Sequence, residues 1–307
     1  MIVTVTFNPA LDYLVYLPRF LPDELNRTEK ESVVPGGKGL NVSVVLANLG
    51  VPSRALAFSA GFTGKEIQRL MENAGCETDF IPVEEGFSRI NVKIKAGKEG
   101  EINGQGPKLD SRHVEQLFRR LETLKAGDFL VLAGSIPGSL PPDLYQQILQ
   151  RVEKQALQTV VDASGELLLR VLPYHPFLIK PNHLELGELF GRTLHTTEEI
   201  SQCARQLQEK GARNVLVSMA GDGAFFRAED GREWFLPAPS GKVINSVGAG
   251  DSMVAGFLAG WLKTGDYETA LRLGVAAGSA SAFTEWLADR PAIEKQLAAV
   301  ESMNQTR

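Results

Sequence analysis

Three small residues, Gly248, Ala249 and Gly250, directly precede Asp251, and a run of Met, Val, Ala, Phe and Leu follows, broken only by glycines. This spacing predicts a loop that turns into a buried helix, with Asp251 in its first turn. A helix start presents unpaired N–H groups and the positive end of the helix dipole, and glycines let a ligand come close to that backbone. Such a place suits a bound anion, and phosphate is the commonest one. An aspartate there would repel the anion, so it needs a separate reason. General-base work on a hydroxyl that attacks the phosphate supplies one. That chemistry requires further groups to hold a nucleotide, an acceptor hydroxyl and a metal.

Four other stretches offer such groups. Pro35-Gly36-Gly37-Lys38-Gly39-Leu40-Asn41 marks a strand-to-helix junction. It has neither the spacing of a Walker A loop nor G-x-G-x-x-G, but its glycines permit close approach, and Lys38 and Asn41 suit an anionic or hydroxylated ligand. Read alone it is a turn and a helix cap. Lys180-Pro181-Asn182-His183-Leu184-Glu185 closes a strand and opens a helix. Asn182 and Glu185 share a helix face where ligands of α/β proteins bind, and the commoner explanation of the pair is a capping box. Ser218 to Ala224 is a glycine-rich loop that would line a nucleotide or simply connect strands. Arg89, Asn91 and Lys93 alternate along one strand face ahead of a polar loop at Asn103, and an arginine there can hold a phosphate by paired N–H bonds. The bland reading of that alternation is a solvated strand face. His113, His175, His183 and His195 lack metal-ligand spacing and are read as structural or surface residues.

Composition narrows the class. With 307 residues, 43% hydrophobic and 22% charged, the chain is ordinary for a globular α/β protein. Its net charge of −5 and the lack of clustered basic residues argue against nucleic acid as a partner. Cys76 and Cys203 have no metal spacing and read as reduced thiols, and no stretch is long and apolar enough for a membrane span. A cytoplasmic location is expected.

The elements that must position these residues follow from periodicity. Strands are expected at 2–7, 12–17, 28–34, 54–59, 79–83 and 90–96, with a helix at 38–49, a glycine-bounded turn at 61–64, a helix at 65–74 and a strand turn at Glu99-Gly100. From residue 110 strands and helices alternate regularly, which indicates a parallel sheet covered on both faces. Two antiparallel strands are expected at 223–236 and two helices at 249–263 and 267–285, followed by a polar tail. The short strands at 12–34 do not fit a simple βαβ unit and read as a small sheet outside the main one.

Gly-Gly-x-x-x-Asn near 40, Asn-x-x-Glu near 185, the glycine loop near 221 and Gly-Ala-Gly-Asp near 250, in that order, resemble the ribokinase-like (PfkB) carbohydrate kinases over residues 1 to about 290. Asn8-Pro9-Ala10-Leu11-Asp12, Arg89 to Lys93, Glu101 to Pro107 and Val217 to Ala224 are similar to its sugar-phosphate branch. The resemblance implies a three-layer α/β/α sandwich with a mostly parallel central sheet. Residues 1–8, 36–78 and 106–307 would form the core, and 9–35 and 79–105 a β-lid. It implies Asp251 as the base and the N–H groups of Gly248, Ala249 and Gly250 as the cradle of the γ-phosphate. Asn182 and Glu185 would organise Mg²⁺. Lys180, Asn182, Ser218, Gly221, Gly223 and Ala276 would lie along ATP, and Asp12, Gly37, Lys38, Asn41, Arg89 and Asn103 would face the sugar phosphate. Many members carry Asp-Thr where this chain has Asn245-Ser246. In ribokinase-like relatives that acid helps bind a monovalent cation, so its absence removes the basis for expecting potassium activation.

The expected reaction is ATP-dependent phosphorylation of fructose 1-phosphate at the 6-hydroxyl. The rival on the same scaffold is a kinase for tagatose 6-phosphate or fructose 6-phosphate. A sugar-phosphate sensor without catalysis would be expected to lose the base or the anion cradle, and both are present. A dinucleotide dehydrogenase is disfavoured, because residues 2–41 contain no G-x-G-x-x-G. Open edges of the lid sheet would allow a homodimer.

Overall fold

The computed structural model of the chain describes residues 1–305, the side chains at 98, 99, 304 and 305 excepted. The strands are β1 (Ile2–Thr6), β2 (Ala10–Tyr16), β3 (Lys30–Gly36), β4 (Ser53–Ala60), β5 (Glu77–Val83), β6 (Arg89–Ala96), β7 (Lys98–Asn103), β8 (Phe129–Ala133), β9 (Gln158–Asp162), β10 (Leu178–Ile179), β11 (Asn214–Ser218), β12 (Ala224–Arg227) and β13 (Glu233–Leu236). The helices are α1 (Lys38–Asn48), α2 (Gly61–Asn73), α3 (Ser111–Leu121), α4 (Leu144–Val152), α5 (Gly165–Val171), α6 (His183–Leu189), α7 (Thr197–Glu209), α8 (Ala249–Thr264), α9 (Tyr267–Ala282) and α10 (Arg290–Gln305).

The main sheet has the order β13-β12-β11-β10-β9-β8-β1-β4-β5. It is parallel from β11 to β5, and the β12–β13 hairpin is antiparallel at one edge. Strands buried on both faces need apolar residues in both registers. In β8, Phe129, Val131 and Ala133 join the core under α1, α2, α8, α9 and α10, while Leu130 and Leu132 join the core under α3 to α7. That is the three-layer sandwich. The chain runs from β1 out to β5 and returns to β8 on the other side of β1, so the connections reverse direction between β1 and β8. Side chains at the C-terminal ends of strands open into the crevice such a reversal leaves.

A second sheet has the order β3-β2-β6-β7. Its register sets Asp12 opposite Asn91, and Asn91 opposite Asn103, so these three form one row across the strands. Side chains alternate faces along a strand, so Arg89, Asn91 and Lys93 lie on the same face.

Four expectations need correction. Residues 79–83, read with the lid, belong to β5 at the edge of the main sheet, paired in parallel with β4. The glycine-bounded turn at 61–64 is the first turn of α2. The turn between β6 and β7 falls at Gly97, which takes a positive φ, and not at Glu99-Gly100. The polar tail is helix α10. Ile293 and Val300 are fully buried and Leu297 packs beside them, a spacing of four and three residues that places all three on one helical face. Asp289 Oδ1 accepts from the Ala292 N–H at 3.0 Å, a helix-start bond that fixes where the chain turns.

Candidate active site

Three adjacent strand ends deliver the core of the site. Asp162 ends β9, Lys180 follows β10 by one residue and Ser218 ends β11. Above them a cleft of about 760 Å³ runs from the small sheet to α9.

At its centre α8 begins. Gly248 is the N-cap in the left-handed region, with φ of 84°, and Asp251 lies buried in the first turn. Asn41, in the first turns of α1, donates from Nδ2 to Asp251 Oδ2 at 2.8 Å. Asp162 is 1% exposed and stands between two ammonium groups, Lys38 Nζ at 3.0 Å and Lys180 Nζ at 3.4 Å. Burial works against the Asp162 charge, but Lys180 and Lys38 outweigh it and hold the carboxyl below its usual range. Burial, reinforced by the Asp162 charge, pushes Asp251 up to about 6. Burial also opposes the charge on Lys38, and Asp162 and Asp251 overcome it. Two carboxylates in one buried cluster are thus driven apart, Asp162 held down by its two lysines and Asp251 pushed up toward a range in which it can exchange a proton.

The small sheet forms one end of the cleft. Asn91 Nδ2 donates to Asp12 Oδ1 at 2.8 Å. Burial raises Asp12, with Lys93, Asn91 and Arg89 acting the other way. Gly36 crosses directly beside this carboxylate, and a Cβ there would lie 2.6 Å from all three of its terminal atoms. Arg89 Nε donates to the Asn8 carbonyl at 3.1 Å, and its guanidinium makes no ion pair among the described residues. Burial lowers its pKa, so an incoming anion would meet a cation with no carboxylate to displace. Lys93 pairs with Glu101 at 2.8 Å, and Asn103 donates weakly to the same carboxylate at 3.4 Å. Gly37 lines the cleft at the start of α1.

At the other end the wall is mostly apolar. Ser218, Gly221 and Gly223 line it from one side, Val243 and Gly241 from a loop, and Val275, Gly278, Ala282 and Phe283 from α9 and its end. Ala276 does not reach the cleft. It is fully buried in the core, one position off the helix face that lines the wall.

Asn182 and Glu185 form the capping box: Asn182 Oδ1 accepts from the Glu185 N–H at 2.8 Å, and Glu185 Oε2 accepts from the Asn182 N–H at 2.8 Å. Both also line the cleft, and Glu185 keeps its second carboxylate oxygen outside the box. Among the described residues no group of three or more His, Cys, Asp or Glu is placed to hold a metal ion. A hard divalent cation held by one carboxylate, substrate phosphates and water needs no such group, so the donor set fits Mg²⁺ in that mode. His113 is the N3 residue of the α3 capping box, and His183 lines the cleft. Asn245 Oδ1 accepts from Lys95 Nζ at 3.2 Å and from the Val247 N–H at 3.3 Å, so an ammonium stands beside the carboxamide.

Lys38, read from the sequence as a sugar-phosphate contact, lines the cleft and also pairs with Asp162 at the base end. Asp162 itself was not among the expected site residues. Its signal is its place at the C-terminal end of a parallel strand, where an aspartate is otherwise easily taken for a helix-capping residue.

The pfkB family carbohydrate kinase profile matches residues 5–288. The chain is 46% identical over 301 residues to a Bacillus subtilis protein named 1-phosphofructokinase, covering 98% of this chain and 99% of that one. It is 39% identical over 290 residues to a Bacillus licheniformis protein named D-tagatose-1-phosphate kinase, covering 94% and 95%. Phosphofructokinase-2 from Escherichia coli, solved in complex with fructose-6-phosphate, superposes with a TM-score of 0.91 at 28% identity over 98% and 99% of the two chains. With its ribokinase-like sandwich, its small second sheet and a profile match over nearly its whole length, the chain belongs to the pfkB family of carbohydrate kinases.

Proposed function

We propose that the protein transfers the γ-phosphoryl group of ATP to the 6-hydroxyl of fructose 1-phosphate, giving fructose 1,6-bisphosphate and ADP. The observation that carries the chemistry is Asp251 in the first turn of α8, beside the N–H groups of that helix start, of which the Ala249 N–H donates to the Ser246 carbonyl at a long 3.3 Å. The 46% identity to the B. subtilis 1-phosphofructokinase supports the substrate. Asp251 takes the proton from the 6-hydroxyl, and that oxygen bonds to the γ-phosphorus as the bond to the β-phosphate oxygen breaks. The N–H groups at Gly248, Ala249 and Gly250 meet the charge on the equatorial oxygens. Asp12, Gly37, Asn41, Arg89 and Asn103 face the sugar phosphate. Lys180, Asn182, Ser218, Gly221 and Gly223 lie along the nucleotide. Glu185, with Asn182 beside it, would hold Mg²⁺, which neutralises phosphate charge when bound. The small sheet acts as a lid that excludes water, the competing acceptor.

A coupled ADP-release assay over a panel of ketohexose phosphates tests the assignment. Good turnover of tagatose 1-phosphate beside negligible turnover of fructose 1-phosphate would overturn it in favour of the second reading, which the 39% identity to the B. licheniformis kinase supports. Arg89→Leu is expected to raise KM for the sugar phosphate about 10- to 100-fold, since a charge-assisted pair contributes roughly 1.5–3 kcal/mol. An unchanged KM would remove Arg89 from the phosphate site.

A homodimer through the outer face of the small sheet is supported by Val33 and Ile102, which are 43% and 61% exposed there. Light scattering of the native protein and of Val33→Lys decides it: an unchanged mass would retire this interface. A cytoplasmic location accords with two buried cysteines that form no disulfide. No helix among the described residues is long and apolar enough to cross a membrane.

A further inference from the structure

The Asp162 carboxylate touches neither the cradle nor the base, yet it is among the most deeply buried charges near the site. It ends β9 with Oδ1 3.0 Å from Lys38 Nζ and Oδ2 3.4 Å from Lys180 Nζ. The two lysines come from different elements, Lys38 from the start of α1 and Lys180 from the end of β10. Lys180 is 4% exposed, and a Cβ at Gly250 would lie 3.1 Å from its Nζ, so its ammonium rests against the backbone of the glycine loop. A lysine is a point charge on a flexible stem. It helps a transition state only if it is already in place, because a cation that must be ordered during the reaction gives back much of what it contributes.

We propose that Asp162 is a positioning residue for phosphoryl transfer, fixing the Lys38 and Lys180 ammonium groups as a cationic wall beside the glycine loop at the head of α8. Asp162 lies at the floor of the cleft, 1% exposed, with each carboxylate oxygen facing one of the two ammonium groups, so it acts through them. Helix α8 begins against this wall, and the α8 N–H groups and the two ammonium groups face the same space. The carboxylate has a second effect through space on Asp251. The groups facing Asp251 are Lys38 and Asn41 from α1, Asp162 from β9 and Lys180 from β10, while α9 presents Gly278 next to the Ala249 carbonyl. Among these Asp162 is the one anion, and it strengthens the hold of Asp251 on its proton. The inference rests on the reading of Asp251 as the base of a sugar-phosphate kinase.

The test is Asp162→Asn, assayed with fructose 1-phosphate, ATP and MgCl₂ between about pH 5 and 8, the range in which a raised carboxyl titrates. The expected result is a fall in kcat of about 30-fold or more, together with a shift of the acid limb of kcat/KM to lower pH. An anchor that merely ties β9 to α1 would lower the melting temperature and leave that limb in place. A kcat within about threefold of wild type, or a reduced kcat with an unmoved acid limb, overturns the proposal. If Asp162→Asn does not fold, Asp162→Asn/Lys180→Met removes one charge of each sign, and retention of kcat within about threefold of wild type overturns it equally. Should the wild-type protein turn over no ketohexose phosphate with ATP, the proposed function fails and takes this inference with it. An active wild type beside an unaffected Asp162→Asn retires the inference alone.

Discussion

The Asp251→Asn variant is expected to lose at least about 10²-fold in kcat with a modest change in KM. Asparagine keeps the shape of the side chain and can still accept the 2.8 Å bond from Asn41, so the head of α8 stays as it is. What disappears is the capacity to take a proton. In the wild type, Asp251 must be ionised to work, and its pKa stands at about 6. Activity should therefore rise with pH up to about that value and level off above it, and the variant should lack this limb. A second consequence has the opposite sign. The folded-state pKa lies above the ordinary carboxylate value, so protonation favours the folded state. The contribution of this group to stability is complete in acid and is lost as pH rises through the interval from about 4 to about 6. At pH 7 the wild type carries that cost in full. Asp251→Asn removes it, and a gain on the order of 1–3 kcal/mol is expected in denaturant unfolding. A variant with near-normal kcat would remove Asp251 from the role of base. Slower turnover without a stability gain would leave the base in place but deny that burial tunes it.

Legibility in the sequence followed the locality of the signal. The parallel sheet could be read from residue 110 onward, because the strands there carry short apolar runs and several helices their own cap, such as Asp110 for α3 and Thr196 for α7. The head of α8 was equally legible, since small residues before an acid and a long apolar run lie within a dozen positions. Three things were lost for a common reason. The place of β5 depends on its pairing with β4, and the apolar face of α10 is defined by α9, which it covers. The role of Asp162 depends on Lys38 and Lys180, 124 and 18 residues away, and a strand-ending aspartate looks the same whether its partner is a lysine or water. Ala276 shows the reverse error. A small-residue helix near a nucleotide was legible, but which of its faces meets the cleft is set by the packing of α8 on α9, and that face passes through Val275 and Gly278.

Gly248→Val is expected to lower kcat by about 10²-fold or more, the cost typical of losing an oxyanion-type donor. The residue sits at φ of 84°, where a β-branched side chain is a genuine outlier. Even a single Cβ would come within 2.7 Å of Leu287 Cδ2. The chain can respond in two ways. It can keep the conformation and displace Leu287, or it can abandon the positive φ and reorient the peptide that follows. In both cases the N–H groups that open α8 move relative to Asp251, and the base and the cradle no longer serve one phosphoryl group. The other end of the same helix provides the control. Gly265 also caps α8 in the left-handed region, with φ of 65°, but nothing lies within 4 Å of where its Cβ would be. Gly265→Val bears the backbone strain, of order 1–2 kcal/mol, without touching the site. It should lower the melting temperature and leave kcat within about threefold of wild type. Equal losses of kcat in the two variants would mean that the activity depends on the integrity of α8 as a whole. A loss confined to Gly248→Val assigns the effect to the N–H groups at its head, because the two substitutions share their chemistry, their backbone region and their helix and differ only in what stands beside them.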